Sequence, residues 1–160
     1  MSAPSSADRP AFAAPFPGYE ARVRASFLAQ PFMRTIGAGM TRVAPGEVEI
    51  ALAQQAALTQ QHGFTHGGVI GAVLDTACGY AALSLFPAEA GVLTVEYKVN
   101  FLAPGVGDSF RFVGRVRKHG RTLTLVEADA YGRRADGLEK LVATMTATMM
   151  TLTGRDDVRN

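Results

Sequence analysis

Asp75 is the one charged residue in an apolar run from Gly67 through Phe86. A carboxylate in such a place is costly unless it is paired or put to use. Directly ahead stand His66, Gly67 and Gly68. A glycine at a helix start offers an exposed backbone N–H at the positive end of the dipole, and its missing side chain lets an oxygen approach. A carboxylate can act as base or nucleophile, and such an N–H can stabilise a developing oxyanion.

The element that positions these groups is a helix. Val69, Ile70, Val73, Leu74, Ala77, Cys78 and Ala81 recur at helical spacing. They predict a buried helix from about Gly68 to Phe86, with Thr65 as N-cap and Pro87 as its stop. Gly71 and Gly79 lie inside it, each costing about 1 kcal/mol against Ala. Their presence predicts that another backbone or a thin ligand passes close to the helix. Eight residues of helix separate Gly67 from Asp75, roughly 12 Å at 1.5 Å per residue. They cannot serve one carbonyl from the same chain. If both act in one site, two subunits contribute, which requires at least a dimer.

The chain around this helix has 160 residues, 48% of them apolar, enough for one domain with a full core. A net charge of +2 is too small to imply a nucleic-acid partner. The single cysteine excludes an internal disulfide framework and fits a reducing compartment, so the expected location is cytoplasmic. The apolar run containing Asp75 does not read as a membrane span. Residues 1–17, rich in Ala, Pro and Ser, read as a disordered tail, 18–153 as a single domain, and 154–160 as a polar C-terminal tail. Tyr19, Val23 and Phe27 predict a short helix from Tyr19 to Leu28, and Phe32–Ile36 reads as a connection.

Met40–Val43 and Val48–Leu52 read as strands around the turn Pro45-Gly46, and Ala53–Thr65 as a polar loop. Beyond Pro87 the period changes to two. Val95, Tyr97, Val99 and Phe101 are expected on one side of a strand, with Thr94, Glu96, Lys98 and Asn100 on the other. Further strands are expected over Phe110–Arg117, Thr122–Tyr131 and Leu138–Leu152. Four consecutive strands with short turns imply an antiparallel sheet, and one long helix must be covered by it. The fold class is α+β.

The pattern Gln60-x-x-Gly63-x-x-His66-Gly67-Gly68, with Asp75 nine residues after His66, resembles the signature of PaaI-like acyl-CoA thioesterases of the hot-dog fold. Thr94–Pro104 resembles the strand after their helix, and Arg117–Leu123 their basic hairpin; the likeness runs from about Val43 to Leu152. It implies a curved antiparallel sheet wrapped around one central helix. It further implies acyl-CoA as substrate, no cofactor and no metal, and a homodimer or homotetramer with sites between subunits.

By this resemblance Asp75 is general base or nucleophile, and Gly67 the oxyanion donor. Thr94 orients water near the carboxylate. His66 fixes the loop, and Gln60 stands where relatives carry Asn. Gly68, Glu96 and Phe101 join the substrate-binding set, and Lys118, His119, Gly120, Arg121 and Thr122 receive the phosphates of coenzyme A. Each has a plainer rival. Asp75 could cap a neighbouring loop, His66 could be a satisfied core histidine, and Thr94 an ordinary strand residue. The basic hairpin could be a solvated edge that discourages pairing. Cys78 lies on the apolar stripe and reads as core, and Met145, Met149 and Met150 as core or tunnel wall. A non-catalytic acyl-CoA-binding module on the same fold is the rival function. Phe64, Phe101, Tyr80 and the methionines are expected to wall a site for an aryl or medium-chain acyl group.

Overall fold

The computed structural model describes residues 11–155 and Asp157. The tail expectations for 1–10, 156 and 158–160 fall outside them. Within 11–17, the Phe12 ring lies over Gly46 and the Phe16 ring over the Arg22 guanidinium, 6.0 Å from its centroid.

Helix α1 (Tyr19–Ala29) buries Val23 and Phe27, the stripe its spacing foretold. The stretch expected to be a connection is instead a second short helix, α2 (Pro31–Ile36). Pro31 pre-sets its first turn, and Gly37, at φ +73°, ends it in the left-handed conformation glycine adopts freely. Its payload is Met33 and Ile36, both buried. Strands β1 (Gly39–Ala44) and β2 (Glu47–Ala53) follow as a hairpin turned at Gly46, where φ is +77°.

Helix α3 (Gly67–Leu83) is the long buried one. Its N-cap is His66 and not Thr65: the imidazole Nδ1 accepts from the Gly68 amide at 2.8 Å. Thr65 is buried and spends its hydroxyl on Gln54 Oε1. The helix stops at Leu83, ahead of the expected Phe86, and Ser84 turns its hydroxyl to the Ala81 carbonyl at 2.7 Å. Arg22 of α1 donates to the carbonyls of Phe86, Pro87 and Ala90, which fixes the chain leaving α3.

Four strands complete the chain: β3 (Gly91–Phe101), β4 (Ser109–Lys118), β5 (Leu123–Arg133) and β6 (Glu139–Leu152). The six-stranded sheet has the order β1-β2-β4-β5-β6-β3 and is antiparallel at every pairing. It curves around α3, which touches β2 through β6. This is the α+β hot-dog arrangement the pattern implied.

Alternate residues of the strands fill the core: Phe110 and Phe112 from β4, Val126, Ala128 and Ala130 from β5, Ala143, Met145, Ala147 and Met149 from β6. A backbone or a thin ligand is expected close to Gly71 and Gly79, and within this chain the close backbone approach is elsewhere. A Cβ at either helical glycine would meet nothing within 4 Å, whereas one at Gly114 of β4 would lie 2.3 Å from the Ala77 carbonyl oxygen. The helix rests on the sheet through a strand glycine.

Strand β3 also departs from strict alternation. Its register against β6 slips between Thr94 and Glu96, a bulge at Val95. Thr94 pairs with Met149, and Tyr97, Val99 and Phe101 with Ala147, Met145 and Ala143, all core-facing residues of β6. Thr94 therefore shares the helix-facing side with Tyr97, Val99 and Phe101, where alternation had set it with Glu96. Glu96 stays outside and accepts from the Thr148 hydroxyl at 2.6 Å.

Candidate active site

The bulge has a direct chemical result. It aims the Thr94 hydroxyl at Asp75, donating to Oδ1 at 2.8 Å, with the Met149 sulfur 3.5 Å behind it. Asp75 is half-buried, two turns into α3. Burial pushes its carboxyl above the ordinary 3.8, and the Thr94 hydrogen bond opposes that rise. Asp75 and Thr94 open onto a cavity of about 170 Å³ that Gly79, Tyr80 and Gln30 also border. A carboxylate so held is a base or nucleophile with access to a small ligand.

A second group of expected residues gathers at the N-terminal end of α3. His66 uses Nδ1 to cap the helix, so the neutral ring carries its proton on Nε2 by inference from that bond. The capping bond consumes the Gly68 amide. The Gly67 amide has no partner among the described residues. It sits on the first helical residue, an open donor at a dipole's positive end. The Phe101 ring lies against Gly67, with Cζ 3.1 Å from where a Cβ would be. Gln60 stays in its own loop, its side-chain oxygen accepting from the His62 amide and its backbone N–H bonded to Phe64 at 2.9 Å. Beside this end lies a hollow of about 550 Å³ lined by Phe64, Val106, Arg134 and Leu138.

The third group lies at the opposite end of α3. The His119 ring packs on Phe86 at 5.8 Å, and its Nδ1 is 3.1 Å from the Thr124 hydroxyl. Gly120 makes the hairpin tight, since a Cβ there would sit 2.5 Å from the Leu123 carbonyl oxygen. Thr122 closes the hairpin through its carbonyl, which accepts from Thr151 at 2.9 Å. Arg115 is bound to Glu47 and Asp129, and Arg117 to Glu127. Lys118 and Arg121 are exposed and form no ion pair with a described residue.

The structure thus unites Asp75 with Thr94 and His66 with Gly67 and Phe101, but keeps the two sets apart along one helix. Tyr80, expected as a wall residue, borders the cavity beside the carboxylate, whereas sequence reasoning missed Gln30, which lies between two helices, one of them unanticipated. Cys78 is fully buried, and burial drives its thiol well upward, which suits packing and not nucleophilic attack. Among the described residues, no three His, Cys, Asp or Glu side chains gather to hold a metal. No helix among the described residues is long and apolar enough to cross a membrane.

Known proteins agree with this architecture. Residues 62–134 match the profile of the Thioesterase superfamily. The crystal structure of a thioesterase family protein from Silicibacter pomeroyi superposes with a TM-score of 0.84 at 55% identity, covering 86% of this chain and 100% of that one. The PaaI protein of the Escherichia coli phenylacetic acid degradation operon shares the fold at 20% identity and TM-score 0.75, covering 85% and 94%. A Saccharolobus solfataricus protein carrying an esterase name is 37% identical over 91 residues, 57% of this chain and 57% of its own length. With the profile spanning Asp75 and the fold shared along the whole Silicibacter chain, this protein belongs to the thioesterase superfamily.

Proposed function

We propose that this chain hydrolyses acyl-CoA thioesters carrying an aryl or medium-chain acyl group, as a homodimer or homotetramer in the cytoplasm. The observation that carries the reading is the pair of half-sites on one helix. A half-buried carboxylate is aimed by Thr94, and a Gly67 amide with no partner among the described residues lies roughly 12 Å away at 1.5 Å of helix rise per residue. Each supplies what the other lacks, and a second copy running in the opposite sense would bring them together.

In that composite site the thioester oxygen rests on the Gly67 amide of one subunit while its carbonyl carbon faces Asp75 of the other. With Asp75 as general base, a water loses its proton to the carboxylate as its oxygen bonds the carbonyl carbon. The tetrahedral oxyanion is held by the Gly67 N–H, then collapses and expels the thiolate of coenzyme A, which takes up the proton. With Asp75 as nucleophile, the carboxylate attacks the carbonyl carbon and expels the thiolate, and water then cleaves the mixed anhydride to the free acid and the Asp75 carboxylate. The His66 Nε2–H is a second donor near the oxyanion. Lys118 and Arg121, exposed cations beside hairpin amides, suit the phosphates of coenzyme A.

The test is thiol release from a panel of acyl-CoAs by wild type and Asp75→Ala. The reading requires release by wild type and a loss of at least about a hundredfold in the variant, the scale of general acid–base contributions. Equal slow release by both would make the chain a binding module.

A further inference from the structure

Gly79 lies one helical turn beyond Asp75 on the same face of α3, and both border the 170 Å³ cavity. A Cβ at Gly79 would meet no heavy atom within 4 Å. The chain thus forgoes about 1 kcal/mol of helix propensity at a position where its own packing does not demand glycine. What the glycine provides is room beside the carboxylate. The compartment is smaller than the ~300–1,000 Å³ of typical small-molecule sites, so it takes the head of an acyl group and little more.

Its far side is closed by Tyr80 and Gln30. Gln30 Nε2 donates to the Tyr80 hydroxyl at 3.1 Å, and that hydroxyl is 3.2 Å from Ser26 Oγ. Tyr80 is buried and held edge-on by Phe27 at 5.7 Å, which makes it a fixed wall. Gln30 joins α1 to α2 and makes no side-chain cap bond to either helix. Among the described residues its side chain makes one hydrogen bond, the one to Tyr80. Behind the pair lies a second hollow of about 590 Å³, against Ala25 and Ala29 of α1, which Gln30 and Tyr80 also border.

We infer that Gly79 and Gln30 set the acyl group this enzyme accepts. Gly79 leaves the floor open beside Asp75 for the first carbons of the acyl group, and Gln30 gates passage into the hollow along α1. Gln30 and Tyr80 are uncharged, and Arg22, which borders the hollow, is engaged by the Phe86, Pro87 and Ala90 carbonyls. The acyl group is compact or aromatic with Gln30 in place, longer and linear when it swings aside. This rests on the thioesterase reading above.

The experiment measures kcat/KM of the full chain for acetyl-, phenylacetyl-, hexanoyl- and decanoyl-CoA, with assembly followed by light scattering. Gly79→Leu is expected to lower the phenylacetyl-to-acetyl and hexanoyl-to-acetyl ratios by about tenfold or more, the discrimination one or two methylenes bring in a pocket. Gln30→Ala is expected to raise the decanoyl-to-acetyl ratio by a similar factor. Gly71→Ala, equally open at Cβ but not bordering the cavity, is expected to leave the ratios unmoved. Equal loss on every substrate in Gly79→Leu, or dissociation of its assembly, would make Gly79 a packing residue and overturn the inference. So would unmoved ratios in Gln30→Ala, which decides the matter if Gly79→Leu does not fold. An active wild type with unmoved ratios refutes this inference alone; a wild type that releases no thiol refutes the thioesterase reading with it.

Discussion

A carboxylate kept in an apolar helix works against stability and for chemistry at once. Burial raises the Asp75 carboxyl above its ordinary 3.8 while the Thr94 hydroxyl pulls it down. The folded chain therefore holds this proton to higher pH than the unfolded chain. Ionised Asp75 costs stability in full above the raised pKa, and the cost fades as pH falls towards 3.8. Asp75→Asn should consequently melt at a higher temperature than wild type in neutral buffer, with the gap closing near pH 3.8; a lower melting temperature at neutral pH would contradict the account. The base must be ionised to act, so activity rises with pH through that same raised value. Thr94→Val removes the hydrogen bond that opposes the rise, and the acidic limb of the kcat profile should move to higher pH. A limb that stays in place would separate Thr94 from the carboxylate's function. Asp75 was legible in the sequence because a lone charge in an apolar run demands an explanation. The side of the strand that Thr94 occupies was not, because a one-residue bulge at Val95 leaves no mark in an alternating pattern. The His66 cap was hidden for a similar reason: Thr65 is the commoner capping residue, and only its burial against Gln54 removes it from the role.

Among the elements, α3 and the strands announced themselves through long, clean periods. Helix α2 did not, because six residues are too few to show one, although Pro31 and Gly37 bracket it as start and stop. The seat of α3 was also missed. Glycines inside the helix drew attention, yet Gly114, alone among the inward-facing bulky residues of β4, is where the two backbones meet. The two kinds of glycine should respond oppositely to alanine. Gly114→Ala drives a Cβ into the Ala77 carbonyl and should destabilise the fold by about 1–3 kcal/mol or more, as overpacking does. Gly71→Ala finds open space and should stabilise by about 1 kcal/mol. Denaturant unfolding checks both, and a neutral Gly114→Ala would mean that the helix does not rest on β4 as described.

For the whole molecule, the two sheet edges differ. Strand β1 ends one side with Thr41 and Arg42, polar residues that protect an edge. Strand β3 ends the other and exposes Leu93, Val95, Tyr97 and Phe101, each close to half of its full area. An eleven-residue edge strand with four exposed apolar side chains invites a partner, and a second copy laid against it antiparallel is the simplest one. The sequence held this only as an argument from distance, since pairing between chains leaves no local signal. The central claim is that Asp75 and Gly67 of one working site belong to different subunits, and subunit mixing tests it. Gly67→Pro deletes the amide hydrogen yet suits the first helical position, and His66 before it already has the extended backbone proline requires. Asp75→Asn and Gly67→Pro should each be inactive alone. Unfolded together in equal amounts and refolded, they should recover about one quarter of wild-type kcat: half the dimers are mixed, and each mixed dimer holds one intact site of two. A mixed sample as inactive as its parents, with mixed dimers present by mass, would contradict the account.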